Sequence, residues 1–175
     1  INTAGLAAVA GFLPLLFGEV QGMNMFPIGL AILCLNTPIC TLLSCDPDLE
    51  QAIRMLPEQA RRFCRKYCLF IFAVNSIVAS IYLCSWQIVN GDFNFVHVGT
   101  LLIFALQSAI LSVILEWKHP IRDWKTESDL WHHPRKYLVP LIMLLVAAFV
   151  GTWTLALWIC AAVLLMECCV LFFVT

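Results

Sequence analysis

Apolar and polar positions alternate along this chain in long blocks. Apolar stretches at about residues 3–17, 25–44, 67–89, 97–115, 137–150 and 153–175 are separated by segments that gather most of the charged residues. About 20 apolar residues in a helix cross the roughly 30 Å hydrocarbon core of a bilayer. The pattern therefore predicts an all-α, polytopic membrane bundle of about six transmembrane helices. The first stretch is short and contains Pro14; the second has Pro27 near its start and Pro38 inside it. Residues 137–175 form one nearly unbroken apolar run, which as a single helix would be about 58 Å long, twice the hydrocarbon thickness. Gly151-Thr152 is the natural break, giving two helices with almost no loop between them. Turns are expected at Gly18-Glu19-Val20-Gln21-Gly22 and Asn90-Gly91-Asp92. Residues 1–175 thus read as a single transmembrane domain with two long polar segments, 45–66 and 116–136.

Composition supports the membrane class. The chain is 62% hydrophobic and only 12% charged, with a mean hydropathy of +0.90. A soluble domain carries about 25% charged residues, and this chain has too few polar groups to cover a soluble surface. Charge placement adds an orientation. All ten Lys and Arg residues fall within 54–66 and 118–136. Basic residues concentrate in cytoplasmic loops, so both windows and both termini are expected on the cytoplasmic side. The opposite loops contain Glu19 and Asp92 and no Lys or Arg. The first stretch lacks a basic n-region, so no cleavable signal peptide is expected. With Ile1 rather than Met at its start, a partial or trimmed sequence is expected.

Nine cysteines do not form a disulfide framework. Cys34, Cys40, Cys84, Cys160, Cys168 and Cys169 lie in apolar stretches, and Cys45, Cys64 and Cys68 at the cytoplasmic edge. They read as small apolar fillers in a reducing setting. Cys64 and Cys68 share a helix face, but no companion pair completes a metal site.

The first polar segment predicts an amphipathic surface helix over 46–56. Asp46 suits an N-cap and Pro47 the first helical position, while Asp48 and Glu50 complement the helix N-terminus. Leu49, Ile53 and Leu56 form one apolar stripe, and Pro57 ends the helix. That helix serves either as a connector resting on lipid or as a docking element for a cytosolic partner. Arg61, Arg62, Arg65 and Lys66 then anchor to anionic headgroups at the entry to the next span.

In the second segment Trp117, Trp124 and Trp131 recur every seven residues, and His132, His133, Pro134, Arg135, Lys136 and Tyr137 close it. Tryptophans favour the headgroup region, so this is an interfacial elbow pressed against the bilayer or a partner. His119, His132 and His133, with Asp123, Glu127 and Asp129, raise a metal or proton-relay reading. No H-E-x-x-H or comparable spacing supports it, and ordinary interfacial histidines explain the pattern as well.

Glu167 is the one carboxylate well inside a predicted span. Ionisable groups there cost about 2.5–3.5 kcal/mol on insertion scales and turn toward a bundle interior or cavity. It is a candidate for the transport path or for interhelical bonding, and Asn36, Asn75 and Gln107 are candidate interhelical partners. There is no phosphate loop, no G-x-S-x-G and no nucleophile–base set, so no intrinsic enzyme activity and no cofactor are expected.

The order of span, acidic amphipathic helix, Leu-Pro, basic cluster and aromatic resembles the membrane subunits of ABC-2 type transporters. Asp48, Leu49, Glu50, Leu56-Pro57, Arg61-Arg62 and Lys66-Tyr67 carry the resemblance. Glu58-Gln59-Ala60 departs from it, standing where the family shows a small hydroxyl residue and an Arg. Glu116-Trp117 and the run Asp129 to Tyr137 look like loops of Gram-positive peptide-exporter permeases. The resemblance implies a multi-pass bacterial plasma-membrane permease. Its coupling helix, 46–56, would sit in a separate ATP-binding cassette subunit, and a second permease subunit would complete the path. No nucleic-acid partner is implied. The competing reading is a non-transport scaffold or anchoring subunit; an embedded enzyme using Glu167 or the histidines ranks behind both.

Overall fold

Helices occupy every apolar run that the computed structural model covers. It describes residues 2–16, 24–33, 41–91, 94–122, 133–153 and 155–173. Among these the protein is all-helical, without strands. In order come α1 (Asn2–Leu16), α2 (Phe26–Leu33), α3 (Leu42–Cys45), α4 (Pro47–Arg54), α5 (Pro57–Asn90) and α6 (Phe95–Lys118). A 3-10 turn (Pro134–Tyr137) then leads into α7 (Leu138–Thr152), followed by α8 (Leu155–Phe173).

Three boundaries differ from those expected. Residues 45–66 are not one loop, because α5 starts at Pro57 and runs for 34 residues. Proline's fixed φ suits a first helical turn, and Glu58 complements the helix N-terminus. Arg61, Arg62, Arg65 and Lys66 therefore ride on the first turns of α5. The stretch 25–44 contains two separate helices, α2 and α3; Asn36 and Pro38 between them lie outside the described residues. The break after α7 falls at Trp153, whose backbone is extended (φ −129°, ψ 117°). α5 itself stops at Gly91, which takes the left-handed φ of 72° and donates its N–H to the Gln87 carbonyl. A side chain there would be strained. Asn94 then caps α6 by accepting from the Val96 N–H at 2.9 Å.

Among the described residues two helices, Glu58–Asn90 and Phe95–Lys118, are long and apolar enough to cross a membrane. Of their most apolar windows, 33% is buried in α5 and 56% in α6. Phe12, Leu16, Ile77, Ile88, Phe149 and Trp158 all stand exposed. An apolar outer surface of this extent calls for lipid or another protein to cover it.

α5 and α6 form an antiparallel hairpin whose two ends differ. At the Gly91 end Phe26 stacks on Tyr82 (5.3 Å between centroids) and meets Trp86 and His97 edge-on or tilted. Gly29 is required here, since a Cβ at that position would collide with the phenol of the fully buried Tyr82. Asn24 donates its N–H to the Gly151 carbonyl at 3.0 Å, bringing the end of α7 to the same place. The opposite end, called basal below, carries α3, α4, the start of α5 and the end of α6. The central core runs along α1, α2, α5, α6, α7 and α8. A second cluster joins α5, α6 and α8 through Cys64, Tyr67, Cys68, Ile71, Ile110 and Leu164.

Candidate functional site

Two clusters of polar side chains are built into this apolar frame. The first closes the basal end. Glu116, near the end of α6, is wholly buried. Its Oε1 accepts from the Ser44 N–H at 2.6 Å and from the Ser44 hydroxyl at 2.7 Å. Its Oε2 accepts from Arg135 Nη2 at 2.5 Å in an ion pair whose arginine side chain is 13% exposed. The Ser44 hydroxyl in turn accepts from the Ile121 N–H at 2.9 Å. One carboxylate thus ties α3, α6, the strand of chain after α6 and the turn before α7. A buried ion pair of this kind holds only because further hydrogen bonds satisfy the carboxylate.

Beside it lies α4. Asp46 caps it by accepting from the Leu49 N–H at 3.0 Å, with Pro47 at the first helical position. Ile53 is buried with Leu43 and Ala60, and Leu49, Phe63 and Trp117 pack against them. Leu49 and Ile53 of the apolar stripe thus lie against the protein's own helices, and Asp48, Gln51, Ala52 and Met55 are left facing outward. Leu56 is exposed as well. Arg54 fastens the helix, donating to the Trp117 carbonyl at 2.6 Å with its guanidinium 4.6 Å above the Trp117 ring. Pro57 opens α5, and Arg61 and Arg62 project from its exposed side.

The second cluster sits among the long helices. Asn75 of α5 donates to the Ser108 hydroxyl of α6 at 2.8 Å, both buried. One turn-face away, Gln107 Nε2 donates to the Glu167 carboxylate of α8. Gln107 and Glu167 line a cavity of about 380 Å³ between α6, α7 and α8.

Of the interfacial residues read from the sequence, Trp117 is half-buried at α4, and His133 accepts from the Arg135 N–H at 3.3 Å. Arg135 is drawn into the protein rather than left at a surface, because Glu116 would otherwise be a buried charge without a counter-ion. Lys136 lies in the 3-10 turn. Trp124, Trp131 and His132 lie outside the described residues. Among the described residues no three His, Cys, Asp or Glu side chains gather as metal ligands.

Glu116 and Ser44 were not singled out as site residues from sequence. The available signal was an acidic residue closing one apolar run and a basic residue just before the next, two opposite charges at neighbouring helix ends. No protein-family model, curated protein or solved structure matches this chain.

Proposed function

We propose that the chain is the membrane-spanning subunit of an ATP-driven exporter, multi-pass in a bacterial plasma membrane, with its basal end in the cytoplasm. α4 is then the element that docks on a separate ATP-binding subunit, and a second permease subunit completes the path. The observation that carries this reading is the joining of the two basic windows. The contacts from Arg54 to Trp117, and from Glu116 to Ser44 and Arg135, gather them at one end of the membrane-length hairpin. Basic residues kept on one side are what membrane insertion favours. At that same end stands a helix with its apolar side bonded to α5 and α6 and its other side free. A partner pressing on the outer side of α4 would move α5 and α6 with it, because no loose segment intervenes between α4 and Trp117.

Isolation of the tagged chain in mild detergent from its own cells tests this, with magnesium-dependent ATP hydrolysis measured in the eluate. The variant Gln51→Arg/Ala52→Glu changes only outward-facing residues in the middle of α4, so it should melt like the wild type yet lose the co-purifying ATPase. An eluate without ATPase, or one in which the variant retains it, overturns the exporter reading and leaves the scaffold role.

A further inference from the structure

We propose that the cavity between α6, α7 and α8 binds a hydrophobic primary amine, with its ammonium group held by Glu167 and Gln107. This rests on the membrane placement of the bundle given above and supplies a ligand class for it, but it does not depend on an ATP-binding partner.

The cavity walls are apolar, among them Leu111, Met143, Val146 and Val163. Its about 380 Å³ lies at the lower end of the roughly 300–1,000 Å³ range of small-molecule sites. Among the described lining residues, side-chain oxygen and nitrogen atoms enter where Gln107 meets Glu167. Gln107 is 7% exposed, and its Nε2 is committed to Glu167, yet its Oε1 is buried with no hydrogen-bond partner. An amide oxygen left unbonded in a low-dielectric interior is costly, and hydrocarbon offers no water to relieve it. The arrangement thus presents two acceptors, one of them a carboxylate, at the head of an apolar chamber, and none of the described residues lining it is basic.

A ligand that completes this site needs an apolar body, at least two N–H donors and a positive charge. A protonated primary amine meets all three: one N–H pairs with the Glu167 carboxylate and another with Gln107 Oε1. An anion would meet a carboxylate with no counter-charge, and a plain hydrocarbon would leave the amide oxygen unbonded. Ile159 and Val163 stand exposed at the rim. The chamber accordingly opens sideways, so a membrane-dissolved amine reaches it from the lipid.

The experiment uses the full chain in nanodiscs of phosphatidylcholine, whose neutral surface does not itself collect cations. Three probes share one ring and differ in the head group: 1-naphthylmethylamine, 1-naphthalenemethanol and 1-naphthoate. Naphthalene fluorescence reports saturable binding. The amine should bind most tightly and the carboxylate least. Glu167→Gln should weaken the amine about ten- to a hundredfold, the worth of a charge-assisted hydrogen bond, and weaken the alcohol far less. Retained alcohol binding shows that the variant is folded. Should Glu167→Gln not fold, Gln107→Met keeps the bulk, removes the acceptor, and should lower amine binding more than alcohol binding. Val146→Trp fills the chamber and should abolish binding of both.

Equal binding of amine and alcohol, tightest binding of naphthoate, or an amine affinity untouched by Glu167→Gln and Gln107→Met would overturn the proposal. Because no ATPase is present, any of these results leaves the exporter reading standing. Failure of the co-purification experiment likewise leaves the amine site standing.

Discussion

Glu116 and Glu167 are both carboxylates embedded in apolar surroundings, and they are treated in opposite ways. Glu116 is fully enclosed, and both its oxygens are bonded, to Ser44 on one side and Arg135 on the other. Glu167 accepts from Gln107 at one oxygen, sits at the edge of a cavity, and shares that edge with an unbonded amide oxygen. Arg135 Nε is buried without a partner, but a buried carboxylate with both oxygens bonded still fixes the elements that supply it, because any rearrangement exposes an unpaired charge to a poor solvent. An under-satisfied cluster beside empty space has capacity left over for something else. The first is a joint at the basal end and the second a place for a ligand, although residue type alone would not separate them.

Substitutions can break or sharpen that contrast. The largest effect is expected from Glu116→Ala, which strands the Arg135 guanidinium and should cost about 3–5 kcal/mol of stability, measured by denaturant titration in detergent. Glu116→Leu/Arg135→Met removes both charges and should recover most of that loss; if it melts no higher than Glu116→Ala, the ion pair is not the source. Gly29→Ala tests the aromatic end instead, where overpacking against Tyr82 should cost about 1–3 kcal/mol. Asp46→Ala removes the cap of α4 and should cost about 1 kcal/mol, with α4 fraying first in hydrogen exchange. Smallest of all is Glu167→Gln, expected within about 0.5 kcal/mol of wild type. A loss at Glu167 as large as that at Glu116 would erase the distinction between joint and site.

How much of this was legible depended on how far apart the interacting residues lie. α4 could be read because its signals are local: Asp46-Pro47 opens it and Pro57 stands just beyond its end. The break near Gly151 was legible from length alone. The start of α5 was not, because the charged run from Arg61 to Lys66 resembles a loop although Pro57 and Glu58 mark a helix start. The basal joint stayed hidden because Ser44 and Glu116 are 72 positions apart and Arg135 is 19 beyond Glu116. The inward turn of the Leu49 and Ile53 stripe was hidden for a related reason: periodicity shows which residues share a face, not which neighbour covers it. Glu167 stood out by its surroundings in sequence, whereas the cavity beside it is a property of three packed helices.

The exporter reading depends on the joined basal end facing the cytoplasm, and the chain's own lysines test that orientation. All four, Lys66, Lys118, Lys125 and Lys136, fall in the two basic windows. An impermeant amine-reactive reagent applied to intact cells, followed by peptide mass mapping, should modify none of them until the membrane is opened. Asn90→Lys, at the exposed far end of α5, should be modified from outside at once. Labelling of Lys66 and Lys118 in intact cells, or protection of the lysine at position 90, would contradict the orientation and with it the cytoplasmic role of α4.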